Sequence, residues 1–393
     1  MARVLSETDI LEAHRRGRRV LEVLAGDLVT PQARETAARL QLALHDGPVA
    51  RPAPVRSSAA NAAQRVLWRR SPRWQGVAPQ RKPTARRLTK VALIGAGGVG
   101  ANIAHLLSNA DASDQIALID VVPGLAESVA LDLMHASGIN RSRGAVVGGQ
   151  DLAAVEGAEV VVVTAGRPRT PGMDRRDLID VNRRVIRNSA DAIRLHAPDA
   201  VVIVVTNPLD EMTLEMLRAT GFPRERVLGM AGTLDSARFR RALADAAGVD
   251  VVDIDAITLG SHGAEMAPIG SLARIKGRPV SVFLDAGEVA ACAKRAVAGG
   301  AEVVALRKTG SATIAPAHAT VEVIDYLRGA LTGAVPVSVM LDGEYGLNDV
   351  VLGVPCHLGE GGLISVDEWP LADAERDNLR AAADAIRTRL ADA

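Results

Sequence analysis

Apolar runs alternate with amphipathic stretches along most of the chain after residue 90. The short runs predict buried strands: "VALI", "IALID", "AVVGG", "VVVVTA" and "VVIVVTN". Stretches with a helical period lie between them, at about 101–110, 126–136, 176–196 and 209–219. Strands that are apolar on both faces and alternate with helices predict a parallel, doubly wound α/β sheet.

The first 89 residues show a different pattern of hydrophobic and polar positions. Residues 1–46 predict two short helices, one opened by "SETD" at Ser6–Asp9 and one with Thr30 as N-cap and Pro31 in its first turn. Residues 47–90 contain eleven Arg or Lys, six Pro and no Asp or Glu, and they show no sustained period. We therefore predict a short helical extension at 1–46 and a basic, flexible linker at 47–89, and we see no internal repeat.

Composition narrows the class of protein. The chain has 393 residues, 48% of them hydrophobic, and a formal net charge of zero, which is enough for two cores in a soluble protein. Two cysteines, Cys292 and Cys356, make neither a disulfide framework nor a metal cluster, so we expect buried thiols and no metal site. The sequence lacks an apolar run of the ~18 residues that span a bilayer and lacks a signal peptide, so we expect a cytoplasmic protein.

The first chemical motif is the glycine-rich segment Gly95–Gly100, which lies between a predicted strand and a predicted helix. Gly95 permits a tight turn, Gly97 lets a pyrophosphate approach the backbone, and Gly100 lets the helix pack against the strand. Asp120 ends the next strand, where a carboxylate binds ribose hydroxyls and repels a 2′-phosphate. These residues predict an NAD site.

Ligands of such sheets bind at the carboxyl ends of the strands. The glycine loop, two further strand ends and the arginine-bearing loop "AGRPRTPGMDRRD" at 165–177 all lie there. The predicted cofactor-binding residues at these positions are Gly95, Ala96, Gly97, Gly98, Val99, Gly100, Asp120, Thr164, Ala165, Gly166, Val205, Thr206 and Asn207.

Later motifs identify a family. "GAGGVG", "TAGRPRTPGMDRRDL", "VTNPLD", "GMAGTLDSARFR", "GSHGAEMAPI" and "KTGSA", in this order, resemble the malate dehydrogenases of the lactate dehydrogenase-like type. The resemblance runs from about Lys90 to Ala393. One departure follows His262-Gly263, where Ala264 and Glu265 replace the Asp-Asp or similar pair that is usual in the family.

The resemblance implies a Rossmann-type NAD-binding domain at 90–232 and an α+β substrate domain at 233–393. It also implies reversible hydride transfer between malate and oxaloacetate. His262 and Asp235 would form the catalytic pair, with His262 as the general acid–base and Asp235 fixing its tautomer.

The remaining roles concern binding. Arg238 would hold the C1 carboxylate through a bidentate pair, Arg175 would polarise the reacting carbonyl, and Asn207 would bond the substrate. Asn182 would lie on the cofactor side. Arg169 would meet a second carboxylate at the far end of the substrate, because a desolvated, unpaired charge would disfavour a monocarboxylate.

Alternatives remain open at this point. The enzyme could act on lactate or another 2-hydroxy acid, with Arg169 as the discriminating residue. The family also implies a homodimer or homotetramer. The basic tail could contact nucleic acid, although we favour a solvated linker. Residues 1–46 are similar to N-terminal segments on enzymes of bacterial microcompartments, which implies a contact with a microcompartment shell or its cargo. A dispensable extension, or a helix that packs on its own enzyme, is an equal alternative, and we expect no membrane partner.

Overall fold

The structure is a computed structural model that describes residues 4–15, 20–23, 27–46, 85–167, 175–308 and 310–391. The chain divides into two compact units, residues 1–75 and 76–393. Within the described residues, no helix is long and apolar enough to cross a membrane.

Six parallel strands form the centre of the larger unit, in the spatial order β10-β9-β8-β5-β6-β7. The order reverses between β8 and β5, so the predicted doubly wound sheet is confirmed. Its strands are β5 (Leu88–Ile94), β6 (Ser113–Ile119), β7 (Ala145–Gly149), β8 (Val160–Val163), β9 (Val201–Val204) and β10 (Val227–Gly229). The reversal is the place where such sheets bind nucleotides.

Helices cover both faces of these strands and bury two apolar clusters. Valines and isoleucines dominate the central strands, as strands buried on both faces require. The helices of this part are α3 (Gly98–Asn109), α4 (Leu125–Asn140), α5 (Arg175–His196) and α6 (Leu209–Thr220). All four overlap the stretches predicted from the helical period.

The second part of this unit extends the same sheet with antiparallel strands. β16 pairs with β10, β17 pairs with β16, and β12, β13 and β18 complete an 11-stranded sheet among the described residues. These added strands are β12 (Thr258–Gly260), β13 (Met266–Pro268), β16 (Ala334–Asp342), β17 (Asn348–Gly359) and β18 (Gly362–Val366). A separate three-stranded sheet contains β11 (Ile254–Asp255), β14 (Arg274–Ile275) and β15 (Arg278–Pro279). The helices are α7 (Gly232–Ala247), α8 (Ala286–Arg307), α9 (Ile314–Leu327) and α10 (Asp373–Ala391).

The start of β5 corrects the predicted linker boundary at residue 89. Leu88 is fully buried and pairs with Ser113 of β6. Arg86 contacts Glu159, and Arg87 Nη1 lies 2.9 Å from Asp111 Oδ2. These polar residues precede the apolar run, so hydrophobic periodicity alone could not assign them to the folded unit.

The N-terminal unit contains more than the two predicted helices. α1 (Glu7–Arg15) and α2 (Pro31–Arg39) pack together, and Thr30 caps α2 as predicted, accepting from Ala33 N at 3.2 Å. Four short strands accompany them: β1 (Val4–Leu5), β2 (Val20–Val23), β3 (Leu28–Val29) and β4 (Ala43–Asp46). Strands of two to four residues are too short to show a period in sequence.

These elements form an internal repeat that the sequence analysis missed. Each half is a β-α-β unit; β1 pairs in parallel with β3 and β2 in parallel with β4. The register matches Val4 with Leu28, and Ala13 and Ala37 are both buried at corresponding positions of the two helices. The halves share few identical residues, so the repeat is visible mainly in the pairing of strands.

Candidate active site

The glycine-rich loop has the geometry that its sequence predicts. Gly95 follows β5 with φ +109°, which only glycine adopts readily. A Cβ at Gly100 would lie 1.9 Å from the Gly95 carbonyl oxygen, so α3 approaches the strand too closely for any side chain there. Apart from its immediate chain neighbours, no atom of the described residues would lie within 4 Å of a Cβ at Gly97, which leaves open space beside the N-terminus of α3. The loop therefore fits the pyrophosphate of a dinucleotide.

Asp120 stands directly after β6 and borders this loop. Its Oδ2 accepts the N–H of Ala96 at 2.8 Å, and its Oδ1 accepts the N–H of Val122 at 3.0 Å. The carboxylate is therefore fixed beside the glycine loop, where it favours an adenosine ribose with free hydroxyls.

Polar side chains tie together the ends of β5, β8 and β9. Thr164 Oγ1 donates to the carbonyl of Gly95 at 3.1 Å, and Thr206 Oγ1 donates to that of Ala165 at 2.7 Å. Asn182, on α5, is 1% exposed and donates to the carbonyl of Asn207 at 2.6 Å. Its Oδ1 accepts the N–H of Arg167 at 2.7 Å. Asn182 thus braces the two strand ends, and a direct contact with the cofactor stays a prediction.

The structure brings three of the predicted residues into direct contact. His262 follows β12, and its Nδ1 lies 2.8 Å from Asp235 Oδ2. The other oxygen of Asp235 accepts from Arg238 Nη1 at 2.9 Å. Asp235 and Arg238 lie one turn apart on α7, and the Asp235 side chain is only 2% exposed. A buried carboxylate therefore links an imidazole to a guanidinium.

The electrostatics favour protonation of His262. Burial by itself lowers the pKa of the imidazole, but the charge of Asp235, its hydrogen bond and the charge of Asp210 outweigh that effect. The net result is a pKa above the ordinary value. An imidazole with that balance suits a group that gives and takes a proton near neutral pH.

Two glycines lie beside Arg238. Gly299 and Gly300 lie in the interior of α8, where glycine weakens a helix. Cβ atoms there would lie 3.4 Å from Arg238 Cδ and 3.5 Å from Nη2, which are ordinary contact distances, so an alanine would fit at either position.

The segment before α9 also reaches the glycine loop. A Cβ at Gly98 would lie 2.6 Å from the Thr313 methyl group, and Arg307 Nη1 donates to the carbonyl of Ser311 at 2.8 Å. Ala312 lies in this segment next to Thr313, and we expect its small side chain to leave room for a longer acid.

The arginine loop is described only in part. Arg169 lies outside the described residues, and Arg175 is the first residue of α5. Asn207 is exposed at the end of β9 and precedes a cis peptide bond to Pro208. The roles of these three residues toward substrate stay predictions.

Comparison with known proteins agrees with this geometry. Residues 89–229 match the lactate/malate dehydrogenase NAD binding domain, and residues 232–393 match the alpha/beta C-terminal domain of the same family. The chain belongs to the lactate/malate dehydrogenase family. It is thereby an NAD-dependent oxidoreductase with a Rossmann domain and an α/β C-terminal domain, as the sequence predicted.

Individual relatives cover most of the chain. A malate dehydrogenase of Nostoc punctiforme is 42% identical over 308 residues, which is 78% of this chain and 94% of the relative. Among solved structures, malate dehydrogenase of Cryptosporidium parvum has a TM-score of 0.75 and 35% identity, covering 78% of this chain and 99% of that one. Lactate dehydrogenase of the same organism, solved with lactic acid and nicotinamide adenine dinucleotide, has a TM-score of 0.74 and 32% identity, covering 77% and 97%.

Proposed function

We propose that this protein is a malate dehydrogenase that interconverts (S)-malate and oxaloacetate with NAD. The observation that carries the proposal is the chain of contacts from Arg238 through buried Asp235 to His262. It lies in the same compact unit as a glycine loop that fits a dinucleotide. The relatives named malate dehydrogenase support the choice of substrate.

His262 is the acid–base group of this proposal. Its Nδ1 is held by Asp235, which leaves Nε2 to face the substrate. In reduction of oxaloacetate, the Nε2–H bond breaks and its proton goes to the C2 oxygen as that oxygen gains charge. In oxidation of malate, neutral His262 takes the proton of the C2 hydroxyl. When bound, NADH supplies the hydride for C2 and NAD accepts it.

The arginines select and orient the substrate. Arg238 pairs with the C1 carboxylate, Arg175 with the C2 oxygen and Arg169 with the second carboxylate, while Asn207 donates to the substrate. Closure of the 167–178 segment over the site would exclude water and strengthen each contact. With pyruvate, Arg169 would lose its partner, and a desolvated charge without a partner is costly.

The test compares oxaloacetate with pyruvate at saturating NADH. We expect kcat/KM for oxaloacetate to exceed that for pyruvate by orders of magnitude, and Arg169→Gln to narrow or invert the ratio. Arg175→Gln should slow both substrates, chiefly in kcat. Equal use of both substrates by the wild type, unchanged in Arg169→Gln, would show that malate is not the specific substrate.

The same proposal extends to assembly. α4 buries Ala126, Ala130 and Leu133 but also exposes Leu131 and Ile139, at 59% and 86%. A helix that is apolar on its outer face as well needs a second partner. We therefore propose a homo-oligomer with α4 at the interface. Light scattering should give a mass above that of one chain, and Leu131→Asp should reduce it.

We also propose that residues 1–46 serve as a docking module, with a protein shell of a bacterial microcompartment as the partner. The support is that these residues lie in a separate compact unit with a core of Ile10, Ala33 and Ala37. Fused to a fluorescent protein in a shell-forming host, residues 1–46 should concentrate the fluorescence at the shells. Diffuse fluorescence would count against docking.

A further inference from the structure

A second buried carboxylate contacts the His262 segment, and no role in the sequence analysis accounts for it. Asp210 lies in the first turn of α6 and is 1% exposed. Its Oδ2 accepts the backbone N–H of His262 at 2.8 Å, and its Oδ1 accepts from Ser338 Oγ of β16 at 2.9 Å. A single side chain thus joins three segments that are distant in sequence.

Asp210 connects the His262 segment to the end of strand β9, where Asn207 lies. Asp210 follows Asn207 by three residues, and Asn207 is itself held by Asn182. The bond from Asp210 to His262 therefore fixes the backbone of the acid–base residue against the segment proposed to bind substrate. Displacements of about 1 Å at such a site can cost about a hundredfold in rate.

We propose that Asp210 is a positioning residue, which anchors the backbone of His262 and supplies a second negative charge to its imidazole. The inference rests on the proposed acid–base role of His262. The anchoring follows from the 2.8 Å bond, and the charge follows from burial, because a buried carboxylate acts on its neighbours with little screening by water.

Charged residues near His262 come from several elements that pack against it. α7 contributes Asp235 and Arg238, and α6 contributes Asp210. Next to Asp210, Glu211 is bound by Arg389 of α10, whose Nε lies 2.6 Å from Glu211 Oε1. In the His262 segment itself, Glu265 lies 3.3 Å from Arg389 Nη1 and accepts from Ser261 Oγ at 3.1 Å. Arg389 therefore pairs with both Glu211 and Glu265 and offsets part of their negative charge.

The charge of Asp210 changes within the pH range in which the enzyme would be assayed. Burial and the neighbouring charge of Glu211 raise the pKa of Asp210 to about 6, against the opposing effect of the bonds from His262 and Ser338. Above that pH the side chain is ionised and stabilises the imidazolium form of His262. Below it, Asp210 keeps one acceptor for the backbone bond but loses its charge.

The Asp210→Asn variant removes the negative charge of residue 210 but keeps its hydrogen bond to the backbone of His262. The carboxamide oxygen can still accept from His262 N, and the amide nitrogen can donate to Ser338 Oγ, so the shape and both bonds are retained. We expect the protein to fold and bind NADH as the wild type does. We expect the pKa of His262 to fall by about one unit and kcat for oxaloacetate reduction above pH 7 to fall about tenfold. Asp210→Ala also removes the anchor and should lose about a hundredfold.

The decisive readout is independent of turnover. The rate at which diethyl pyrocarbonate modifies His262, followed by peptide mass spectrometry against pH, reports the fraction of neutral imidazole. Its midpoint should move to lower pH in Asp210→Asn. If the wild type preferred pyruvate, the proposed substrate would be wrong, but the titration of His262 would still test the role of Asp210.

The matched control is Glu215→Gln, which also replaces a buried carboxylate of α6 by an amide. Glu215 pairs with Arg183 and Arg187 of α5 instead of the His262 segment. The His262 midpoint should stay at its wild-type value in this variant. An Asp210→Asn midpoint within 0.3 of a unit of the wild type, roughly the resolution of such a titration, together with kcat within twofold, would overturn the proposal.

A second variant covers the case in which Asp210→Asn does not fold. Ser338→Ala removes one donor to the ionised carboxylate, so Asp210 should become charged only at higher pH. The His262 midpoint should then fall, by less than in Asp210→Asn. An unchanged midpoint in Ser338→Ala would contradict the role of the Asp210 charge.

Discussion

Replacing Asp235 by Asn tests the central pair of the proposed mechanism. Asp235 accepts from two donors at once, His262 Nδ1 at 2.8 Å and Arg238 Nη1 at 2.9 Å. An asparagine has only one acceptor oxygen, and Arg238 has no acceptor to offer the amide nitrogen. The oxygen therefore goes to Arg238, and the amide nitrogen donates to His262 Nδ1. The imidazole is then held in the tautomer with its proton on Nε2, which cannot take a proton from malate.

The expected fall in kcat follows from these contacts. A buried, charge-assisted hydrogen bond contributes about 1.5–3 kcal/mol, which corresponds to about one to two units of pKa at His262. Asp235 provides the largest of the effects that raise that pKa. The wrong tautomer adds to the loss, as it does for a catalytic histidine elsewhere, where it costs on the order of 10⁴ in kcat. We therefore expect kcat for malate oxidation to fall about 10³- to 10⁴-fold.

The assay follows NADH absorbance in both directions across pH, with NADH affinity measured by fluorescence titration. NADH affinity should change less than threefold, since Asp235 has no predicted cofactor contact. Asp245→Asn is the control, because Asp245 lies on the same helix but pairs with Arg241 and Arg295 at the surface. A kcat within tenfold of the wild type, with an unchanged pH profile, would refute the assignment of Asp235 and His262 as the acid–base pair.

Four further predictions concern the cofactor site and the N-terminal residues. Gly100→Ala should destabilise the protein by about 3 kcal/mol or more and abolish NADH binding, because its Cβ would lie 1.9 Å from the Gly95 oxygen. Gly97→Ala should leave the melting temperature unchanged but weaken NADH binding at least about tenfold, because the added methyl group would occupy the space of the pyrophosphate. Asp120→Ser should reduce the preference for NADH over NADPH about tenfold or more, measured as a ratio of kcat/KM. Deletion of residues 1–84 should keep kcat within about twofold, whereas deletion of 1–89 should lower the melting temperature by several degrees, because it also removes buried Leu88.

Local signals made the cofactor half of the site predictable. A glycine with positive φ, a helix that starts at once and an acidic strand end are all properties of adjacent residues, so the spacing of Gly95, Gly100 and Asp120 was sufficient. The pairing of Asp235 with Arg238 was likewise predictable from a separation of three on a helix. Contact between Asp235 and His262 needed the resemblance to a family, since 27 residues separate them.

Contacts between distant segments were not predictable. Asp210 contacts His262 across 52 residues and Ser338 across 128, and "NPLD" on its own indicates only an acidic residue in the first turn of a helix. The N-terminal repeat was missed for a related reason. Its evidence is the pairing of Val4 with Leu28, and parallel pairing of short strands leaves no period in the sequence.

Glu265, where the chain departs from the family pattern, pairs with the C-terminal helix. An unpaired carboxylate so close to His262 would add negative potential to an already acidic site and cost desolvation. Arg389 prevents this, because its guanidinium lies between Glu265 and the 2%-exposed Glu211. Burial alone would lower the pKa of Arg389, but the charge and hydrogen bond of Glu211 together with the charges of Glu265 and Asp210 outweigh it and raise the pKa. The arginine therefore stays charged and offsets part of the negative charge that Glu211 and Glu265 place near His262, where Asp235, Arg238 and Asp210 also act. The carboxylate at residue 265 thus has its partner in the C-terminal helix, far from it in sequence but beside it in the fold.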